Sequence, residues 1–116
     1  MLILIILSLI NEAVVQLEPQ NYRLMTKTVI FQGGMYNSKH YRIPAIQVAK
    51  DGSTVVVCDQ RLDSAADLPA RIGIISRRLP ANSQQWTEAF LISGPIRNVG
   101  DGDPAIVMDR KTGTIF

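Results

Sequence analysis

The chain is poor in what most site chemistry is built from. One cysteine, Cys58, excludes an internal disulfide framework and any cysteine-rich zinc site. One histidine, His40, excludes metal motifs that pair histidines, so no metal is expected. Charge of one sign is scarce too: twelve Lys and Arg face ten Asp and Glu, and no basic run exceeds Arg77-Arg78. That excludes a nucleic-acid-binding arm. No apolar run approaches the roughly 20 residues that cross a bilayer, so no stable membrane span is expected. After the first twenty positions no window shows a convincing helical period, which confines helix, if any, to that start.

The longest apolar run is Met1 to Ile10, nine of ten residues, with no Lys or Arg before Arg23. It fits the apolar region of a secretory signal, although a basic start and a clear small-residue cleavage site are lacking. The alternatives are a mistranslated or truncated start, or an apolar strand packed on the body. Residues 1–20 therefore read as a leader and a possible signal segment, and 21–116 as the folded body. A cleaved leader implies a secreted or periplasmic protein; otherwise a lysosomal or cytoplasmic one fits. With 116 residues, 47% of them hydrophobic, the body is one modest domain or a piece of a larger one.

What remains is β in texture. Thr28 to Phe31 is a β-branched and aromatic run ending at Gly33-Gly34. Ile43 to Ala49 leads to a Lys50-Asp51-Gly52 turn, and Ser53 to Cys58 returns as its hairpin partner. Ile72 to Ser76 is a further strand with Arg77 and Arg78 at its end, and Ala89 to Ile92 a shorter one. Ala105 to Met108 and Thr114 to Phe116 flank a second charged turn closed by Gly113. The two hairpins repeat each other: Pro-Ala-Ile begins at Pro44 and again at Pro104, sixty residues later. Repeated hairpins at fixed spacing suggest radial β-sheet blades, and a single open sheet or small sandwich is the simpler alternative.

The chemistry gathers between Tyr41 and Asp67. Arg42 opens a strand next to Ile43-Pro44, and the proline restricts the backbone before it. An arginine there can offer its planar fork to a carboxylate, or can be an ordinary surface residue at a strand end. Arg61 lies 19 positions on, with Asp59, Asp63 and Asp67 nearby. Such a set can build an anion pocket beside a titratable carboxyl. Equally, Asp63 and Asp67 can be solvated turn residues.

Tyr41-Arg42-Ile43-Pro44-Ala45-Ile46, Asp59-Gln60-Arg61, Asp67-Leu68-Pro69, Ile75-Ser76-Arg77-Arg78 and Gly102-Asp103-Pro104 stand in the order of the sialidases (neuraminidases), which the chain resembles from about Val29 to Phe116. The resemblance implies an all-β fold of antiparallel four-stranded blades, here the N-terminal part of a six-bladed β-propeller, with about the first two blades present. It implies an exo-α-sialidase, acting on sialylated glycoproteins, glycolipids or oligosaccharides without metal or organic cofactor. Residue by residue, Arg42 matches an arginine that binds the substrate carboxylate, and Arg61 a second pocket arginine. Asp67 matches the general acid and base, with Asp63 as its competitor. Asp103 matches a residue lining the N-acetyl side. Sialidases use a tyrosine nucleophile and retain configuration.

Two departures from the family pattern stand out. The Asp-box, Ser-x-Asp-x-Gly-x-Thr-Trp, is replaced by Leu79 to Gln85 followed by Trp86, its one residue in place. The catalytic tyrosine, its glutamate partner and two further arginines have no match within this chain. The resemblance therefore implies that these residues alone do not hydrolyse sialosides. A non-catalytic sialic-acid-binding or structural propeller segment is the alternative.

Overall fold

The computed structural model describes residues 27–95 and 99–116. The leader expected over 1–20 lies outside the described residues. Four strands form one antiparallel sheet in chain order: β1 (His40–Val48), β2 (Thr54–Arg61), β3 (Ile72–Leu79) and β4 (Phe90–Ser93). The connections are tight because turn residues stand where the chain reverses. Asp51 accepts from both the amide and the hydroxyl of Ser53, while Gly52 supplies a φ of 83° that a side chain would resist.

The core is the middle of the sheet. Val56, Val57 and Cys58 on β2, and Ile72, Ile74 and Ile75 on β3, are its buried apolar residues. Both faces of β2 are covered, which is why it reads as a continuous apolar run rather than an alternation. Val56 and Cys58 face residues 28–31 and Tyr41, whereas Val55 faces Ile115 on the C-terminal hairpin.

The 28–31 run, expected as a strand, is not one. It lies over the sheet as a strap, with Phe31 stacked on Tyr41 at 5.1 Å between ring centroids and the Ile30 carbonyl taking a hydrogen bond from Arg77. It meets the sheet through Ile30 and Phe31, both half-buried, while Val29 stays 64% exposed. A 3-10 turn at Met35–Asn37, unexpected from the sequence, follows Gly34 at φ 96°. It is fixed by the Tyr41 hydroxyl donating to the Met35 carbonyl and by Gln60 donating to the Tyr36 carbonyl.

Arg77 and Arg78 stand within β3 rather than after it, since β3 runs on to Leu79. The β3–β4 reversal manages without the Asp-box: the Thr87 amide donates to the Arg78 carbonyl, and the Thr87 hydroxyl accepts from the Arg78 amide at 3.0 Å. The second repeated hairpin also forms, as a Met108–Ile115 bridge flanked by Val107–Phe116 and Asp109–Thr114 backbone bonds. Its turn sits beside that of the first hairpin, where Lys50 Nζ donates to the Lys111 carbonyl at 2.9 Å. The sheet with its neighbouring hairpin is the architecture of a propeller blade followed by the start of the next.

Candidate active site

Strand pairing assembles the site. Arg42 stands directly opposite Asp59 in the β1–β2 register, and the two-residue period of β2 puts Arg61 on the same face as Asp59. Between Arg42 and Ala45 the register slips by a bulge that holds Ile43 at φ 52° and contains Pro44. Pro44 is tolerated because β1 is an edge strand. A β-branched residue at positive φ carries strain of about 1–3 kcal/mol, and bulges of this kind re-aim the neighbouring side chain. Here the neighbour is Arg42.

The two arginines meet on the loop that follows β2. Arg42 Nη1 lies 3.1 Å from the Ala65 carbonyl and 3.2 Å from Asp67 Oδ1. Arg61 Nη1 reaches the Ala65 carbonyl at 2.7 Å, the Ala66 carbonyl at 2.8 Å and the same Asp67 Oδ1 at 2.8 Å. The other side of the Arg61 fork, Nε and Nη2, donates to Asp59 Oδ2 at 3.1 and 2.8 Å. The remaining Asp59 oxygen, Oδ1, accepts the Asp103 amide at 2.9 Å.

Burial separates the two arginines. The Arg61 side chain is 2% exposed and Arg42 45%, whereas Asp67 is 78% exposed at the rim. A cavity of about 150 Å³ opens among Asp59, Arg61, Asp67, Leu68, Gly102 and Asp103. Asp103 sits at φ 56°, a conformation aspartate adopts more readily than most residues.

The charges are mutually adjusted. The hydrogen bond from Arg61, then the positive charge of Arg42, hold the Asp67 carboxyl below the ordinary aspartate value. Burial works against the Arg61 charge, but hydrogen bonds to Asp59 and Asp67 outweigh it and raise the guanidinium pKa. Asp63 is engaged elsewhere. It forms a two-point pair with Arg71, including Nε to Oδ2 at 2.8 Å, which closes the base of the 62–71 loop along with a Leu62-to-Arg71 backbone bond. Arg71 holds its carboxyl below the ordinary value.

Of the residues singled out from sequence, Arg61, Asp67 and Asp103 thus line one cavity, Arg42 joins them at its rim through Asp67, and Asp63 does not. Asp59 is the member that reading did not single out. Its signal was an acid two positions before Arg61 at the end of the apolar run Val55 to Cys58, a spacing that puts both on one face of a strand. Among the described residues no group of His, Cys, Asp and Glu is arranged to hold a metal ion.

No family model matches the chain. It is similar to a sialidase of Micromonospora viridifaciens, with 33% identity over 103 residues. That match takes in 84% of this chain and 16% of the relative. Among solved structures, the fold is similar to that of the NanB sialidase of Streptococcus pneumoniae, crystallised with a chlorobenzylammonio-ethanesulfonate. The TM-score is 0.66 at 20% identity, covering 76% of this chain and 17% of that one. The chain spans about a sixth of the length of these proteins.

Proposed function

This chain carries a segment of the sialidase family, and from that premise we propose that Arg42, Arg61, Asp67 and Asp103 form part of the active site of an exo-α-sialidase. The observation that carries the reading is the convergence of two guanidinium groups on a single oxygen of an exposed aspartate at the mouth of a polar cavity.

A sialoside presents a carboxylate beside the carbon where the glycosidic bond breaks. Arg42, half-exposed, is the group free to turn its fork from Asp67 to that carboxylate. Arg61, buried and held by Asp59, stays in place and orients Asp67. Asp67 is the general acid that protonates the leaving oxygen and afterwards the base that activates water. Both arginines favour its ionised form. Once a ligand carboxylate engages Arg42, that positive charge is shared and a second negative charge arrives, so the proton affinity of Asp67 rises when an acid is needed. Asp103 lines the N-acetyl side. The bond-breaking step requires a nucleophile that does not face the substrate's own carboxylate with a like charge, which a tyrosine provides with retention. The substrates on this reading are sialylated glycoproteins, glycolipids and oligosaccharides, and the chemistry needs no metal or organic cofactor.

These 116 residues supply one carboxylate-binding arginine and the acid, without a match to the family's tyrosine and glutamate. General acid help alone is worth about 10²–10⁴-fold, too little for turnover. The test assays the chain on a fluorogenic sialoside, alone and mixed with the remaining blades of a sialidase propeller. An α-methyl sialoside titration followed by NMR runs in parallel. Activity only in the mixture, lost on Arg42→Ala or Asp67→Ala, supports the reading. Turnover by the chain alone contradicts the count of parts. Ligand-induced shifts with an inert mixture favour a binding segment without catalysis, and no shifts at Arg42 or Asp67 defeat the site itself.

A further inference from the structure

We propose that Asp59 is the positioning residue of this site, a buried carboxylate that aims Arg61 at the acid-bearing loop and pins the Asp103 turn to the same point. The proposal rests on the sialidase reading for its purpose, though not for its geometry.

Asp59 is 0% exposed, and both of its oxygens are used. Oδ2 takes two donors of Arg61 and Oδ1 takes the Asp103 amide, 44 positions away in sequence. Fixing Nε and Nη2 leaves Arg61 one direction for Nη1, toward the carbonyls of Ala65 and Ala66 and toward Asp67. A guanidinium is planar, so a fork held on one side is aimed on the other. The second link brings the backbone at Gly102 close to the carboxylate, so that a methyl group there would lie 3.6 Å from both Asp59 oxygens, in ordinary contact. One carboxylate thus fixes two loops, the one that joins β2 to β3 and the one that follows β4. A buried ion pair is weak evidence of net stability, because desolvation offsets most of its attraction. What this pair supplies is direction.

The charged groups in contact with Asp67 are Arg42 from β1 and Arg61 from β2; Asp59 lies behind Arg61, and Asp103 lines the same cavity. This arrangement gives Asp59→Asn opposite signatures for two roles. If Asp59 only contributes a negative charge, its removal leaves Arg61 more available to Asp67 and lowers the Asp67 pKa further. If Asp59 positions Arg61, its removal lets the fork drift and the Asp67 pKa rises toward the ordinary aspartate value.

The experiment uses the full 116-residue chain and needs no ligand. Carbon-detected NMR follows the Asp67 carboxyl through a pH titration, and hydrogen exchange follows the Asp103 amide. In the unaltered chain the Asp103 amide is expected to exchange well below the rate of an unbonded turn amide; exchange at the unprotected rate overturns the proposal even if no variant folds. In Asp59→Asn the Asp67 pKa is expected to rise and Asp103 exchange to quicken about tenfold or more, as loss of a bond to a charged acceptor implies. An Asp67 pKa that falls or stays overturns it. Arg61→Lys, which keeps the charge but not the fork, should raise the Asp67 pKa while leaving Asp103 protected; unchanged Asp67 titration in that variant also counts against the proposal. Failure of sialoside binding in the parallel titration would remove the functional reading and leave these outcomes readable.

Discussion

Arg61 reaches Asp67 Oδ1 at 2.8 Å with the same nitrogen that caps the carbonyls of Ala65 and Ala66, so the acid and the backbone of its loop share one donor. The carboxyl of Asp67 is thereby held below the ordinary aspartate value of 3.8. A depressed folded pKa means that ionisation of Asp67 favours the folded chain above 3.8, and that this contribution is lost as pH falls through the lowered folded value. Asp51, Asp63 and Asp109 shift in the same direction, by their bonds to Ser53, Arg71 and Thr112. Thermal unfolding is therefore expected to shift to lower temperature as pH drops below the carboxylate range. Asp67→Asn should flatten part of that slope; a curve parallel to that of the unaltered chain would contradict the pairing.

Cys58 is the counterpart at the core. Burial, and then the charge of Asp59, push its thiol from 9.0 up to about 12. A three-unit rise cuts the thiolate fraction about a thousandfold at neutral pH, and the thiolate is the reactive form. Alkylation by iodoacetamide should be negligible in the folded chain and rapid in urea. Equal rates in the two states would mean that β2 is not buried as described.

The strands were legible from sequence wherever a turn closed by glycine or a charged residue separated two β-branched runs. Lys50 to Gly52 and Asp109 to Gly113 both reverse the chain where the spacing indicated. The 28–31 run departs from the expected strand because β-branched and aromatic composition is a weak guide to pairing: the run meets the sheet through Phe31 on Tyr41 and the Ile30 carbonyl on Arg77 instead of through a ladder. Arg42, Arg61 and Asp67 were legible as types at a spacing. Their convergence depended on a register slip at Ile43-Pro44 and on a buried carboxylate, Asp59, neither of which leaves a periodic trace. The pairing of Asp63 with Arg71 was hidden for a related reason: which of two loop acids faces inward is set by loop closure, eight residues on, rather than by local pattern.

The β4 edge yields a prediction about association. Phe90, Leu91 and Ile92 are 68%, 48% and 54% exposed on the last strand of the sheet. An edge with unpaired backbone groups and consecutive apolar side chains invites pairing between copies. Self-association measured by light scattering should rise with concentration. Ile92→Lys should suppress it without changing the β1–β2 amide signals, because a charge on the edge disfavours pairing. Scattering that is insensitive to this change would locate the contact elsewhere.

The two arginines should separate stability from binding. Arg61 is buried with Asp59, and Arg61→Ala leaves that carboxylate without its countercharge inside the sheet. Removing one partner of a buried pair costs about 3–5 kcal/mol. For a chain this size that is a large share of the total, so urea unfolding should move to much lower concentration or disappear. Arg42 is half-exposed and pairs with an exposed carboxylate. Such pairs contribute little to stability, and Arg42→Ala relieves nothing buried, so its unfolding curve should lie close to that of the unaltered chain. Binding should show the reverse order of interest: Arg42→Ala keeps the fold and loses the response of Asp67 to α-methyl sialoside, because the half-exposed guanidinium in contact with Asp67 is gone. Arg42→Lys should recover part of that response, since it restores charge but not the planar fork. If Arg42→Ala destabilises the chain as much as Arg61→Ala, the arginine is structural. If it leaves the ligand response intact, the anion is held elsewhere, and the assignment of Arg42 to the substrate carboxylate fails.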